Sequence, residues 1–470
     1  MRRIKGVSVR QMHDGSGDER KNIFAFSVPI MLELLLTSVI GTGTQYYLNG
    51  FSKDAVATVG SLSFITNIVV NLYSLISVGG SILLAPMAGT GNKTKAARLI
   101  HVMIRGNFLF GVLCSTLSVV FTFPLMKMMH LDPSLYGMGA QYLIVSCGFS
   151  VIQSLLTTYI AIFRSFCQMR SVLAANFIVY ISCFTGNAAI YYLVPRGYQN
   201  LIMYTSTGIM GQILGVLFLA VRLHKTFWNS LTIEEKRGER IRISDFFRIL
   251  KNILSYGIFG GSEVLVYVAG LTICTSLIGM VGTRALLIKS YLAIIGGYME
   301  IFMTGFSLAA FPLIGQNFGR GDYDKMRKNF SWAVWYSILF TTVTGALFLI
   351  FGRNFLRLFT QDKELIRDTM AILILQIIME VAKAPVAVEA MAMKAIGATV
   401  VPFLLDILSG SLEVLTAWLL GIRLGMGLKG IFIGYIVEVS FRSVVLWFIW
   451  QKDTREYKIR MMKEKIDKRE

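Results

Sequence analysis

Charged side chains are scarce in this sequence: 16% of its 470 residues are Asp, Glu, Lys or Arg, where a soluble domain carries about 25%. Long polar stretches are missing too, which excludes a large soluble domain. Five Cys occur, at 114, 147, 167, 183 and 274, all in or near apolar segments and none in a CxxC pair. They are expected as small buried apolar side chains. The four His do not cluster, so no metal site is expected. There is no HExxH, no GxSxG and no GxxxxGK[ST]. Neither an enzyme nor an ATP-driven pump is therefore expected, and no cofactor. The opening stretch MRRIKGVSVRQMHDGSGDERKN is polar and basic and lacks the apolar core of a signal peptide.

What the sequence has in abundance is apolar runs, each long enough to cross about 30 Å of hydrocarbon. Twelve helical spans are predicted, over 23–48, 54–80, 100–124, 137–160, 172–194, 200–222, 251–279, 285–311, 329–352, 366–391, 400–421 and 428–450. Turn signals separate them, among them Asn49-Gly50, Asp132-Pro133, Pro195-Arg196-Gly197 and Gly319-Arg320-Gly321-Asp322. The expected organisation is an N-terminal tail 1–22, a six-helix lobe 23–222, a linker 223–250, a second six-helix lobe 251–450 and a basic tail 451–470. The linker, mixed in charge and amphipathic, is expected to lie partly on the membrane surface.

The net charge of +19 raises the question of nucleic acid. Its placement answers it. Roughly 32 Lys and Arg fall in the tails and the loops on their side, against roughly 10 in the opposite loops. That asymmetry puts both termini in the cytoplasm and makes the lipid bilayer, not nucleic acid, the partner.

An internal repeat is the most informative feature. A shift of about 226–230 residues places SVPIMLE, ending at Glu33, on GIFGGSE, ending at Glu263. It also places LLAPMAGTG with Pro86 on AAFPLIGQN with Pro312, and IFRSFCQ with Arg164 on AMKAIGA with Lys394. An even number of spans per half makes the repeats parallel. The fold class is thus an all-α integral membrane protein, twelve spans in two pseudo-symmetric six-helix lobes around a central cleft.

A charge inside a span is costly and marks a functional candidate. Twelve are found: Glu33, Arg105, Glu263, Lys289, Glu300, Glu380, Lys383, Glu389, Asp406, Glu413, Glu438 and Arg442, ten of them beyond residue 260. Glu438 and Arg442, at i,i+4, are expected to pair on one helix. Arg105 and Glu300 are expected near helix ends, reaching toward water. Glu263 follows Gly260-Gly261, where the backbone is approachable, and is the first candidate for taking up and releasing a proton. Glu380 and Lys383 are i,i+3 neighbours ahead of Pro385, which is expected to bend its helix and expose carbonyls near Glu389. Asp406 and Glu413 lie two turns apart on one face.

At these residues the chain resembles the multidrug and toxic compound extrusion (MATE) family, from about 23 to 450. SVPIML…TQYYLNGFSKDAVATVG is similar to that family's first helix and loop, and FPLIGQNFGRGDYDKMRK to its Pro–Gln–Gly-x-Gly-Asp loop, the most specific match. FRSFCQMR, MKAIGAT and GLKGIFIGYIVEVSFRSVVLWFIW also resemble family segments. The resemblance implies a bacterial inner-membrane exporter of amphipathic or cationic small molecules, acting as a monomer and driven by H+ or Na+. The family's first-helix Asp is here Gln45. An Asn–Asp pair four residues apart is here Asn187 and Tyr191, so the N-lobe carboxylate site is missing. Glu263 matches a helix 7 Glu of other members, and a helix 10 Asp falls near Lys383. The expected coupling residues are Glu263, Lys383 and Glu380, with a Glu263–Lys383 pair switched by protonation. Glu33, Gln45, Asn187, Tyr191, Glu389, Asp406 and Glu413 are the expected cavity residues. A lipid-linked saccharide flippase of the same superfamily and a sensor or scaffold without transport are the alternatives. Eight intramembrane carboxylates against four basic residues favour cationic cargo.

Overall fold

The structure, a computed structural model, describes residues 19–129, 131–232, 235 and 242–467. Every regular element among them is helical. The α-helices are α1 (Glu19–Phe51), α2 (Lys53–Thr90), α3 (Lys93–Val120), α4 (Thr122–Met128), α5 (Tyr136–Gly148), α6 (Ser150–Ser165), α7 (Met169–Leu193) and α8 (Leu201–Thr226). They continue with α9 (Ile243–Val281), α10 (Thr283–Arg320), α11 (Tyr323–Leu356), α12 (Lys363–Ala395), α13 (Val400–Thr416) and α14 (Gly427–Asp467). Among the described residues eleven helices are long and apolar enough to cross a membrane, or twelve if α5 and α6, bent by 40° at Phe149, count as one span. The chain is a multi-pass membrane protein.

The helix ends repeat along with the helices. Gly91 (φ 74°) ends α2 and Gly321 (φ 70°) ends α10, 230 residues on. The next residues, Asn92 and Asp322, cap the following helices by accepting from the backbone N–H of Lys95 and Lys325. A left-handed glycine followed by a short polar cap is a compact way to reverse the chain. Between spans, Asp132 accepts from the Ser134 N–H at 2.8 Å and its hydroxyl at 2.6 Å, which holds its carboxyl below the usual carboxylate range.

Three boundaries differ from expectation. The fourth span is two helices with a break. The eleventh ends in a π-helical stretch, Ala417–Arg423, where one extra residue per turn is accommodated. The last helix runs to Asp467, so the residues expected as a tail are largely helical. The linker begins folded: after α8 a 3-10 turn, Trp228–Ser230, returns to α3. There Trp228 stacks on His101 at 4.6 Å, and Lys93 Nζ donates to Ser230 O at 2.9 Å. Most of 233–241, and the tail 1–18, lie outside the described residues.

The chain forms two compact units. The first spans Leu32–Gly261; the second takes Ser262 onward together with the start of α1, to Met31. The division therefore runs through α1 and α9 rather than through the linker. In the first unit Ile253 of α9 is fully buried among Ile76, Ile100, Met103 and Leu219. In the second, Ile295, Leu373, Ile431 and Phe432 form the equivalent core.

None of the five cysteines forms a disulfide among the described residues. Cys167 is unusual because its φ is 57°, the one left-handed non-glycine residue among those described. Its repeat counterpart is Gly397, φ 85°. Both close the turn after a helix, and a Cβ there strains the chain by roughly 1–2 kcal/mol. Cys167→Gly is expected to stabilise the protein, less the greater entropy glycine gives the unfolded chain. The check is the thermal unfolding midpoint in detergent; an unchanged or lower midpoint refutes it.

Candidate functional site

The repeat carries side chains as well as helices. In the first unit Glu33 Oε1 accepts from Arg164 Nη2 at 2.7 Å and from Asn176 Nδ2 at 2.6 Å. Adding 230 to each number gives Glu263, Lys394 and Asp406. In the second unit Glu263 indeed forms an ion pair with Lys394. The third member has changed from a neutral amide to an acid, and an extra buried carboxylate needs its own counter-charge. Arg442 supplies it. Its guanidinium pairs with Asp406, and its Nε lies 3.1 Å from Glu438 Oε1. The first-unit counterparts of Arg442 and Glu438 are Gln212 and Gly208. The added charges thus came as a matched set.

Beside this cluster the second unit holds a cavity of about 230 Å³, lined by α9, α10, α12, α13 and α14. Seven ionisable side chains face it besides Tyr267 and Tyr435: Lys289, Glu300, Glu380, Lys383, Glu413, Glu438 and Arg442. Lys383 pairs with Glu300 and donates to Tyr267 OH at 3.3 Å. Glu380 is 3% exposed. Its Oε1 accepts from Gln376 Nε2 at 2.7 Å, while Oε2 has no hydrogen-bond partner among the described residues. Gly296 of α10 makes room for that pair. A Cβ there would stand 2.6 Å from Gln376 Nε2 and 2.7 Å from Glu380 Oε1.

The first unit has its own cavity, of about 320 Å³. At the 230-residue offset, Ser146, Ser150, Gln153, Cys183 and Gln212 line it where Gln376, Glu380, Lys383, Glu413 and Arg442 line the other. Its wall is built of hydroxyls, amides, thiols and aromatic rings, with no carboxylate, Lys or Arg. The two cavities share a position in the repeat and differ in chemistry: one hydrogen-bonds, the other also holds charge.

The expected site residues are distributed as follows. Glu263 does not meet Lys383; Lys394 holds it, and Lys383 reaches Glu300 instead. The Gly260-Gly261 step is not open either, for a Cβ on Gly261 would lie 2.6 Å from Leu75 Cδ2. Glu300 is no helix-end residue but lies mid-helix on the cavity wall. Glu33 is committed to Arg164 and Asn176, and Asp406 to Arg442; neither lines either of these two cavities. Glu389, 1% exposed, has Ser443 Oγ at 3.5 Å and is also off the wall. Asn187 does line the first cavity, accepting from Thr207 Oγ1 at 2.6 Å. Gln45 is exposed on α1, and its neighbour Thr44 faces that cavity. Tyr191 packs on Tyr47 at 5.6 Å between ring centres. Glu380, Lys383 and Glu413 line the second cavity, joined by Lys289, Glu300, Glu438 and Arg442.

The MatE family model matches residues 29–188 and 261–419, one match per repeat. The chain is 25% identical to the uncharacterized transporter YisQ of Bacillus subtilis, over 92% of this chain and 94% of that one. It is 19% identical to the probable multidrug resistance protein YoeA of the same organism, with the same coverage. Its fold matches a multidrug resistance MATE family transporter of the MOP superfamily in an outward-facing conformation. The TM-score is 0.85 at 17% identity, over 97% of this chain and 100% of that one.

Proposed function

Because the chain belongs to the MatE family of transporters, we propose that it exports small amphipathic or cationic compounds in exchange for H+ or Na+, by alternating access. The observation that carries this reading is the contrast between the two cavities. One half has kept a neutral, hydrogen-bonding wall. The other has gathered carboxylates inside the membrane, where charge is retained only for use or for pairing. Most are paired: Glu300 by Lys383, Glu438 and Asp406 by Arg442, Glu263 by Lys394. Glu380 and Glu413 have no basic group within ion-pair distance among the described residues, and both line the cavity. A carboxylate in that condition attracts a proton or a sodium ion.

We accordingly place the coupling ion at Glu380, with Glu413 on the wall of the same cavity and Lys383 as the charge that answers to it. Glu263, fastened to Lys394, takes the part of a clamp. The names of relatives support the cargo: YoeA is described as a multidrug resistance protein. The reading also puts the protein in a bacterial inner membrane as a monomer, with both termini cytoplasmic on the Lys and Arg asymmetry.

Proteoliposomes with an imposed Na+ or pH gradient, assayed with a panel of fluorescent organic cations, test it. The expected result is cation movement against its own gradient with one of the two ion gradients and not the other. Movement that ignores both gradients refutes antiport. Flipping of a lipid-linked saccharide with no cation export reverses the choice of cargo.

A further inference from the structure

Three side-chain cations face the second cavity. Two are answered from within the protein: Lys383 by Glu300, and Arg442 by Asp406 and Glu438. The third, Lys289, is not. Its Nζ donates to Thr275 Oγ1 at 3.0 Å, and among the described residues no carboxylate lies within 4.0 Å of it. The Thr275 hydroxyl in turn donates to Leu271 O at 2.7 Å, so its lone pair is aimed at the ammonium. That contact orients Lys289 without neutralising it. An ammonium has three donors and one is used.

Lys289 sits about 9 Å along α10 from Thr283, half-buried, on the cavity wall. A positive charge left unanswered inside a span is costly. In the first half, at the 230-residue offset that relates α2 to α10, the same position is Val59, on the wall of the first cavity. The charge therefore serves something particular to the second cavity. That cavity also offers Glu380 and Glu413 without basic partners. It presents one free positive group and two free negative ones.

Resting on the transport reading above, we propose that Lys289 receives an anionic oxygen of the cargo, so that this cavity prefers molecules bearing a carboxylate as well as a cationic group over plain cations. The ammonium then gains a charge-assisted hydrogen bond. The cargo's cationic group faces the carboxylates, so each of its charges meets one of opposite sign on the wall.

Rhodamine 110, which has a free carboxylate, and rhodamine 123, its methyl ester, differ at that one group. Binding to the purified protein is read by fluorescence anisotropy, and export by the proteoliposome assay. The wild type is expected to bind the acid at least about tenfold more tightly than the ester, as one charge-assisted hydrogen bond allows. Lys289→Met is expected to bring the acid-to-ester ratio to about one, and Lys289→Arg to keep it. A wild type that exports both dyes without preference overturns the Lys289 assignment and leaves the transport reading intact. A Lys289→Met protein that keeps the preference does the same. Export of neither dye nor of any organic cation by the wild type overturns both.

Discussion

Glu380→Gln protein in proteoliposomes is expected to lose gradient-driven export, its accumulation ratio falling from tenfold or more to about one. A tenfold ratio corresponds to about 1.4 kcal/mol of transferred gradient energy, and that transfer needs a group whose charge changes. An amide keeps the shape of the acid and its contact with Gln376 but holds no proton and neutralises no sodium ion. The fold is expected to survive, because a buried carboxylate whose Oε2 has no partner among the described residues costs more than its neutral isostere. Cargo binding and downhill movement are therefore retained while coupling is lost. Uphill export by the variant would move the coupling site elsewhere, and Glu413→Gln is the next variant to measure.

The second large effect concerns Arg442. It is the counter-charge for two carboxylates, Asp406 at 5% and Glu438 at 4% exposure. Removing one partner of a buried ion pair costs roughly 3–5 kcal/mol, because the other charge is left behind. Arg442→Gln is thus expected to lower the yield of folded protein sharply, read by size exclusion and thermal unfolding in detergent. Adding Asp406→Asn rebuilds the first half's combination of Asn176 and Gln212. The double variant is expected to regain a substantial part of the loss. Two losses that simply add would show that Asp406 and Arg442 are not energetically coupled.

Legibility differed between fold and site for physical reasons. Spans, turns and repeat were open to reading because membrane crossing demands long apolar runs and because Gly91-Asn92 and Gly321-Asp322 punctuate both halves alike. The break at Phe149 and the π-helical stretch from Ala417 carry no such mark, since hydropathy does not change across them. In the site, the Glu263–Lys394 pair was within reach. The offset that aligns Glu33 with Glu263 also aligns Arg164 with Lys394, so a pair in one half implies a pair in the other. Neighbours along the helix suggested Glu380–Lys383, but Lys383 carries a long stem and found Glu300 on a different helix. Lys289 and Glu300 were visible as charges and not as wall, because which face of a helix meets a cavity is decided by partners far away in the chain. Gln45 failed by one residue: the turn of α1 presents Thr44.

The division of the chain through α1 and α9 bears on how the protein is made. Glu19–Met31 is translated well before Ser262, where the rest of its unit begins. The first unit needs Ile253 and its neighbours, which come after the linker, to fill its core. Neither half is therefore finished when its own six spans have been inserted. The start of α1 is therefore in the bilayer before the helices it groups with have been made.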